Sequence, residues 1–235
     1  MTHRFTLAFS ASHGDGALAL LRDGQVVDAQ PIGPQGSHNS RILVVATELL
    51  RQHDRSLPEL ASLAVDIGPG SFTGIRLALS AARAFAWLGS LPVYTVNSLD
   101  VLALHAVEAT GLRLFALCLD ARRGAFYRAV YEVREAVNRL VGPELVMTEG
   151  LRDGLPDNCA LAGRFPPGAK QTLAAGLVTE IELEYRPADF ALVAAREIAQ
   201  GYAVDWAGAL PLYLRRPEAE EVWESRYGRP EPPAV

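Results

Sequence analysis

A short apolar stretch at 63–67 runs into Gly68-Pro-Gly-Ser-Phe-Thr-Gly74, and an Ala-rich run without a helix breaker follows at once, from Ile75 to Leu88. Strand, glycine-rich turn and helix in such quick succession leave few folds open. The glycines permit positive φ and close backbone approach, so the helix is expected to pack tightly on the sheet it has just left. That points to an α/β layer structure. The same turn could face an anion. Ser71 and Thr73 offer hydroxyls, and a helix start carries partial positive charge. Gly70, Ser71, Thr73 and Gly74 are therefore the candidate anion contacts. The turn lacks the Gly-Lys-Ser/Thr ending of a Walker loop. Two readings stand: a phosphate cradle, or a tight strand-to-helix corner.

The chain begins with a meander. Phe5, Leu7 and Phe9 alternate with smaller neighbours, and small residues fill a turn at 10–16. Strands follow at 17–21 and 25–29, joined by Asp23-Gly24, a hairpin signal. A dinucleotide fold would need a helix straight after its first glycine-rich turn. Residues 37–53 carry Ile42, Val45, Leu49 and Leu50 at helical spacing, with Ser37 or Asn39 as the cap. A strand at 93–96 and a helix at 98–109 complete the unit. A fresh start follows: a strand at 114–119, a turn at 120–124 and period-two alternation over 126–133. Two such beginnings imply two related halves, one spanning 1–100 and a smaller one spanning 101–215. The Pro, Gly and Asp punctuation at 142–168 marks the second half as degraded. A helix at 188–200, placed to pack back on the first half, and a short strand at 211–214 close the fold. Residues 216–235 read as a mobile tail.

Of the 235 residues, 49% are hydrophobic, which is enough for a substantial core. The net charge of −5 argues against a chain that grips nucleic acid by itself on a broad basic face. Arg122-Arg123 and Arg215-Arg216 are local exceptions. Two cysteines, Cys118 and Cys159, make no disulfide framework, which suits a reducing cytoplasm. The N-terminus lacks a signal-like apolar segment, and no apolar run reaches the ~18 residues of a membrane span.

The inventory of catalytic chemistry is thin. His-x-x-x-His does not occur, and the residue one helical turn after His38 is Ile42, so no metal site is expected. Ser71 has no identifiable base. Cys118 lies mid-strand among apolar neighbours and reads as an inert core thiol. In Asp120-Ala-Arg-Arg-Gly-Ala-Phe-Tyr127, Asp120 can fold back on turn amides. A kinase-like first turn would want a carboxylate at the end of the first strand to steer a magnesium ion, and Ser10 stands there. The helix at 75–88 is apolar nearly all round and must be covered on every side, by the sheet, by the 37–53 helix or by another protein.

Taken together these segments resemble the bacterial TsaB (YeaZ) family. The matching pieces are Gly-Pro-Gly-Ser-Phe-Thr-Gly-Ile-Arg76, Ser37-His-Asn-Ser, Val96-Asn-Ser-Leu-Asp100, the segment from Asp120 to Tyr127, and Pro211-Leu-Tyr-Leu-Arg215, in that family's order. The resemblance implies a two-lobed ASKHA fold, the actin-like, Hsp70 and sugar-kinase architecture. It implies a cytoplasmic, non-catalytic subunit without a cofactor. That subunit serves threonylcarbamoyl-adenosine synthesis on tRNA, binding a TsaD-type transferase, with a TsaE-type ATPase in the assembly and a homodimer when alone. It would reach tRNA only through the complex. The interface expected on the first two helices comprises Ser40, Leu43, Val44, Thr47, Leu50, Arg51, Leu79 and Arg83, and Leu79→Glu is expected to weaken the self-dimer and the transferase complex without unfolding the monomer. Ser10-Ala11 departs from the family's Asp-Thr pair, which weakens any nucleotide site. The alternatives are an ASKHA-type ATP-binding phosphotransferase and an M22-type metallopeptidase.

Overall fold

The computed structural model describes residues 3–173, 177–215, 223 and 226. Two five-stranded mixed sheets carry the fold. In the first, β1 (Phe5–Ser10), β2 (Ala17–Arg22) and β3 (Gln25–Gln30) form an antiparallel meander. On the other side of β1, β4 (Leu60–Asp66) and β5 (Val93–Val96) run parallel to it, giving the order β3-β2-β1-β4-β5. In the second sheet, β6 (Leu114–Asp120), β7 (Ala125–Val133) and β8 (Val137–Met147) repeat the meander. Then β9 (Ala160–Gly163) and β10 (Val178–Glu180) join in parallel, giving β8-β7-β6-β9-β10. The two orders are the same, strand for strand. This is the duplicated, two-lobed ASKHA architecture.

The first sheet is covered on both faces, which is why all six residues of β1 are buried. Period two divides them. Leu7 and Phe9 of β1, with Leu18 and Leu20 of β2, face α1 (His38–Gln52) and α2 (Phe72–Gly89). Ala8, Ala19 and Leu21 face the other way, against Val101 of α3 (Ser98–Thr110) and Phe190, Val193 and Ala194 of α5 (Pro187–Gln200). In the second lobe the connecting helices shrink. Where the first lobe has the 15 residues of α1 and the 18 of α2, the second has a 3-10 turn at Thr148–Gly150 and the six-residue α4 (Pro167–Thr172).

Asp100 ties the lobes together. It lies in α3, 4% exposed, and accepts from Tyr131 of β7, from Arg139 of β8 and from Arg196 of α5. A buried carboxylate is tolerated only when paired in this way.

Several sequence expectations need correction. The α2 helix begins at Phe72, not Ile75, because the Ser71 hydroxyl accepts from Gly74 N at 3.2 Å and caps it. Ser37 does stand at the start of α1, but its hydroxyl donates to Pro34 O. An 11-residue β8 runs through part of the punctuated region. It accommodates Gly142-Pro143 because it is an edge strand with shifted register against β7. Residues 211–214 are not a strand. They lie against the first lobe, with Leu212 N bonded to Ile67 O at 2.8 Å. Upstream, Val204 pairs with Val93 at the edge of β5. The expectation for 216–235 falls outside the described residues, apart from Trp223 and Arg226. Among the described residues no helix is long and apolar enough to cross a membrane.

Candidate functional site

In open α/β sheets, ligands sit beyond the carboxyl ends of the strands, where the strand order reverses. In the first lobe that position lies past Ser10 of β1 and Asp66 of β4. Asp66 is fully buried. Its Oδ2 accepts from the hydroxyls of Ser10 at 2.9 Å, Ser12, and Tyr185 at 2.6 Å. Its Oδ1 accepts from Gly68 N at 2.8 Å and from Ser98 Oγ at 2.7 Å. A carboxylate offers about four lone-pair sites, so these five donors saturate it. Tyr185 also stacks on His13, with centroids 5.3 Å apart and planes 5° from parallel. His13 Nδ1 lies 3.0 Å from Ser12 Oγ. Burial pushes the Tyr185 hydroxyl well above its ordinary value, and Asp66 adds to the effect, so the phenol stays protonated and donates. Burial pulls His13 below its ordinary 6.5 while Asp66 opposes it.

The glycine-rich turn closes over this cluster. Ser71 N bonds Ser12 O at 2.8 Å. A Cβ on Gly74 would lie 1.8 Å from Ala11 O, and one on Gly70 would lie 2.7 Å from Ser12 O. Both glycines are thus needed for contact between two backbones. Of the four anion candidates, Gly70 and Gly74 pack, Ser71 caps α2, and Thr73 is exposed at the rim. The sequence hinted at this corner but carried no sign of Tyr185, which arrives from 119 residues away.

The second conspicuous segment, 97–100, is also structural. Asn97 Oδ1 accepts from Leu99 N and caps α3, Ser98 donates to Asp66, and Asp100 makes the lobe tie. His38 is buried, its Nε2 2.8 Å from Gly33 O. Cys118 is buried, and desolvation pushes its thiol up to about 12, so it is no nucleophile.

A cleft of about 830 Å³ opens between the lobes. The first turn and the glycine-rich turn form one wall, and the corner from Leu119 to Arg123 forms the other, with Tyr213 and Arg215 alongside. Asp120 Oδ1 accepts from Arg122 N at 2.7 Å, the turn-amide contact its sequence position suggested.

The expected interface residues divide sharply. Ser40, Leu43, Val44, Thr47 and Arg51 form one exposed stripe along α1, with Leu43 51% and Val44 55% exposed. Leu50 and Leu79, by contrast, lie in the core at 1% and 3% exposed. They cannot meet a partner, and Leu79→Glu would put a charge into the core. The helical period explains the error. Ile42, Val45, Ala46, Leu49 and Leu50 share the inward stripe of α1. Arg83 is half-buried and holds the chain that follows α5, with Nε 2.8 Å from Trp206 O. On α2 the uncovered stripe is Ser80, Ala84, Trp87 and Leu88, the last two 64% and 74% exposed. These were missed, although continuing the 3.6-residue period from the small residues of α2 would have reached them. The two helices pack side by side. Among the described residues no group of three or more His, Cys, Asp or Glu could hold a metal ion.

Comparison with known proteins accords with this architecture. The sequence profile of the family described as TsaD, tRNA N6-adenosine threonylcarbamoyltransferase, matches residues 31–222. The chain is 28% identical over 227 residues to the tRNA threonylcarbamoyladenosine biosynthesis protein TsaB of Bacillus subtilis, covering 92% of this chain and 96% of that protein. It is 29% identical over 212 residues to TsaB of Escherichia coli, covering 85% and 89%. The crystal structure of a Pseudomonas aeruginosa protein with similarity to the peptidase YeaZ superposes with a TM-score of 0.73 at 23% identity, covering 92% of this chain and all of that one. The profile match spans most of the chain, and on it this protein belongs to the threonylcarbamoyltransferase family, within its TsaB/YeaZ group.

Proposed function

We propose that this chain is a non-catalytic subunit of the machinery that makes threonylcarbamoyl-adenosine in tRNA, and that it works by binding and activating a TsaD-type transferase. The carrying observation is the double stripe on α1 and α2, where Leu43, Val44, Trp87 and Leu88 stand exposed beside small residues. Small residues let a second pair of helices approach closely, and large exposed apolar side chains mark an interface. Two helices from each side can bury the ~1,600 Å² of a standard complex. The strand-end cluster supports the same reading. Asp66 already accepts five hydrogen bonds and Ser12 is 2% exposed, so neither is poised to act on a substrate. In this reading the same face joins two copies of the chain when the transferase is absent, and a TsaE-type ATPase enters the full assembly in the cytoplasm.

The test is a Leu43→Glu/Trp87→Glu double variant, co-expressed with the transferase subunit. The expected result is loss of co-purification and of tRNA modification in a reconstituted assay, with an unchanged melting temperature. Full retention of both would refute the reading.

A further inference from the structure

Three conspicuous segments of the sequence meet at one place on the rim of the interlobe cleft. They are the glycine-rich segment with Phe72 and Arg76, the corner with Ala121 and Arg122, and the last described segment, 211–215. The last of these touches both lobes. On the first lobe, Leu212 N bonds Ile67 O at 2.8 Å, and the Tyr213 hydroxyl accepts from Arg76 Nε at 2.8 Å. Tyr213 also stacks on Phe72, with centroids 5.4 Å apart, and the Arg76 guanidinium lies 4.1 Å from the centre of the Phe72 ring. Two residues further on, the chain holds the second lobe. Arg215 Nη1 donates to Ala121 O at 2.7 Å and to Arg122 O at 3.2 Å.

The corner that receives Arg215 is built for that contact. Arg122 and Arg123 both adopt left-handed backbone, with φ of 64° and 53°, which is disfavoured for any residue with a Cβ. Asp120 holds the turn by accepting the Arg122 amide. In this conformation two successive carbonyls reach one guanidinium nitrogen. Arg122, Arg123 and Arg215 share the rim, and Arg123 and Arg215 are both engaged.

The other links between the lobes lie elsewhere. The chain crosses from α3 to β6 and returns from β10 to α5, and Asp100 ties that region through Tyr131, Arg139 and Arg196. None of these residues lines the cleft, whereas Leu212, Tyr213, Leu214 and Arg215 all do. A hinge alone would let the lobes open and close. A second attachment across the cleft removes that freedom.

We infer that residues 211–215 form a strap that locks the two lobes at one opening, so that the chain does not make the domain closure by which hinged two-lobed enzymes enclose a ligand. The inference does not rest on the function proposed above, because it concerns the relation of the lobes and not the α1 and α2 face.

The test measures the interlobe distance in the full chain. Asp15→Cys and Glu149→Cys, both exposed and one in each lobe, carry spin labels, while Cys118 and Cys159 are buried and stay unlabelled. Pulsed dipolar spectroscopy should give a single narrow distance, unchanged by millimolar ATP with magnesium. Arg215→Met keeps the aliphatic stem and removes both donors. Tyr213→Ala removes the stack and the acceptor of Arg76. Each should broaden the distribution and shift its mean. Arg215→Lys should restore part of the narrow peak, since an ammonium group can donate to a carbonyl. Hydrogen exchange in β1 and β6 should stay as in the unsubstituted chain, which separates a loosened strap from an unfolded lobe. Unchanged distributions in both Arg215→Met and Tyr213→Ala would overturn the inference. So would a distance that shifts on adding ATP with magnesium while the strap is intact.

Discussion

Tyr185 donates its hydroxyl to Asp66 at 2.6 Å, joining residues 119 positions apart in the chain. The bond attaches the segment before α5 to the strand ends of the first lobe. A hydrogen bond to a buried charge is worth about 1.5–3 kcal/mol. Tyr185→Phe should therefore lower the unfolding free energy by that amount in a urea titration. Asp66→Ala should cost more, about 3–5 kcal/mol, because four hydroxyls and an amide lose their acceptor at once. Equal losses in the two variants would mean that Tyr185 alone carries the cluster.

His13 should make the fold sensitive to mild acid. Its folded-state pKa is held below the ordinary 6.5, chiefly by burial. Between those two values the unfolded chain binds a proton that the folded chain refuses, so stability falls as pH drops below about 6.5. His13→Gln should flatten that part of the profile. Urea midpoints measured from about pH 8 to pH 5 check this, and parallel profiles for the two proteins would exclude His13 as the source.

Gly74 should tolerate no side chain. The Cβ of Gly74→Ala would fall 1.8 Å from Ala11 O, so either α2 or the first turn must move. Gly14→Ala is the contrast. Nothing lies within 4 Å of the added atom, and only the φ of +48° opposes it. The expected outcome is a loss of several kcal/mol for Gly74→Ala and about 1 kcal/mol for Gly14→Ala, read from thermal melts of the two proteins.

Leu79 and Leu43 should separate stability from association. Leu79→Ala opens a cavity in the core and should cost about 2–4 kcal/mol. Leu43→Ala removes a half-exposed side chain and should leave stability within about 0.5 kcal/mol while weakening self-association. Denaturant unfolding and sedimentation velocity on both variants give the two readouts.

Much of the fold was legible because its signals are local. Alternation in β1 and β7, the Asp23-Gly24 turn and the breaker-free run of α2 act over a few residues, and each appears near where the sequence places it. β8 escaped notice because it is an edge strand with most of its residues exposed, so it lacks a buried face to produce alternation. The candidate site was legible in outline only. The glycine corner could be read because backbone contact demands glycine. The filling of the strand-end pocket could not, because Ser10, Ser12, Ser98 and Tyr185 meet Asp66 only after the chain has folded.

The sequence by itself determined the strand and helix order of the first lobe, the sharp entry into α2 and the resemblance to the family, since each follows from spacing along the chain. Tertiary structure decided which leucines of α1 and α2 face inward, that the strand-end carboxylate is saturated, and that three arginines share one rim. Those outcomes depend on what packs against a residue, and packing partners are set by contacts between segments far apart in sequence.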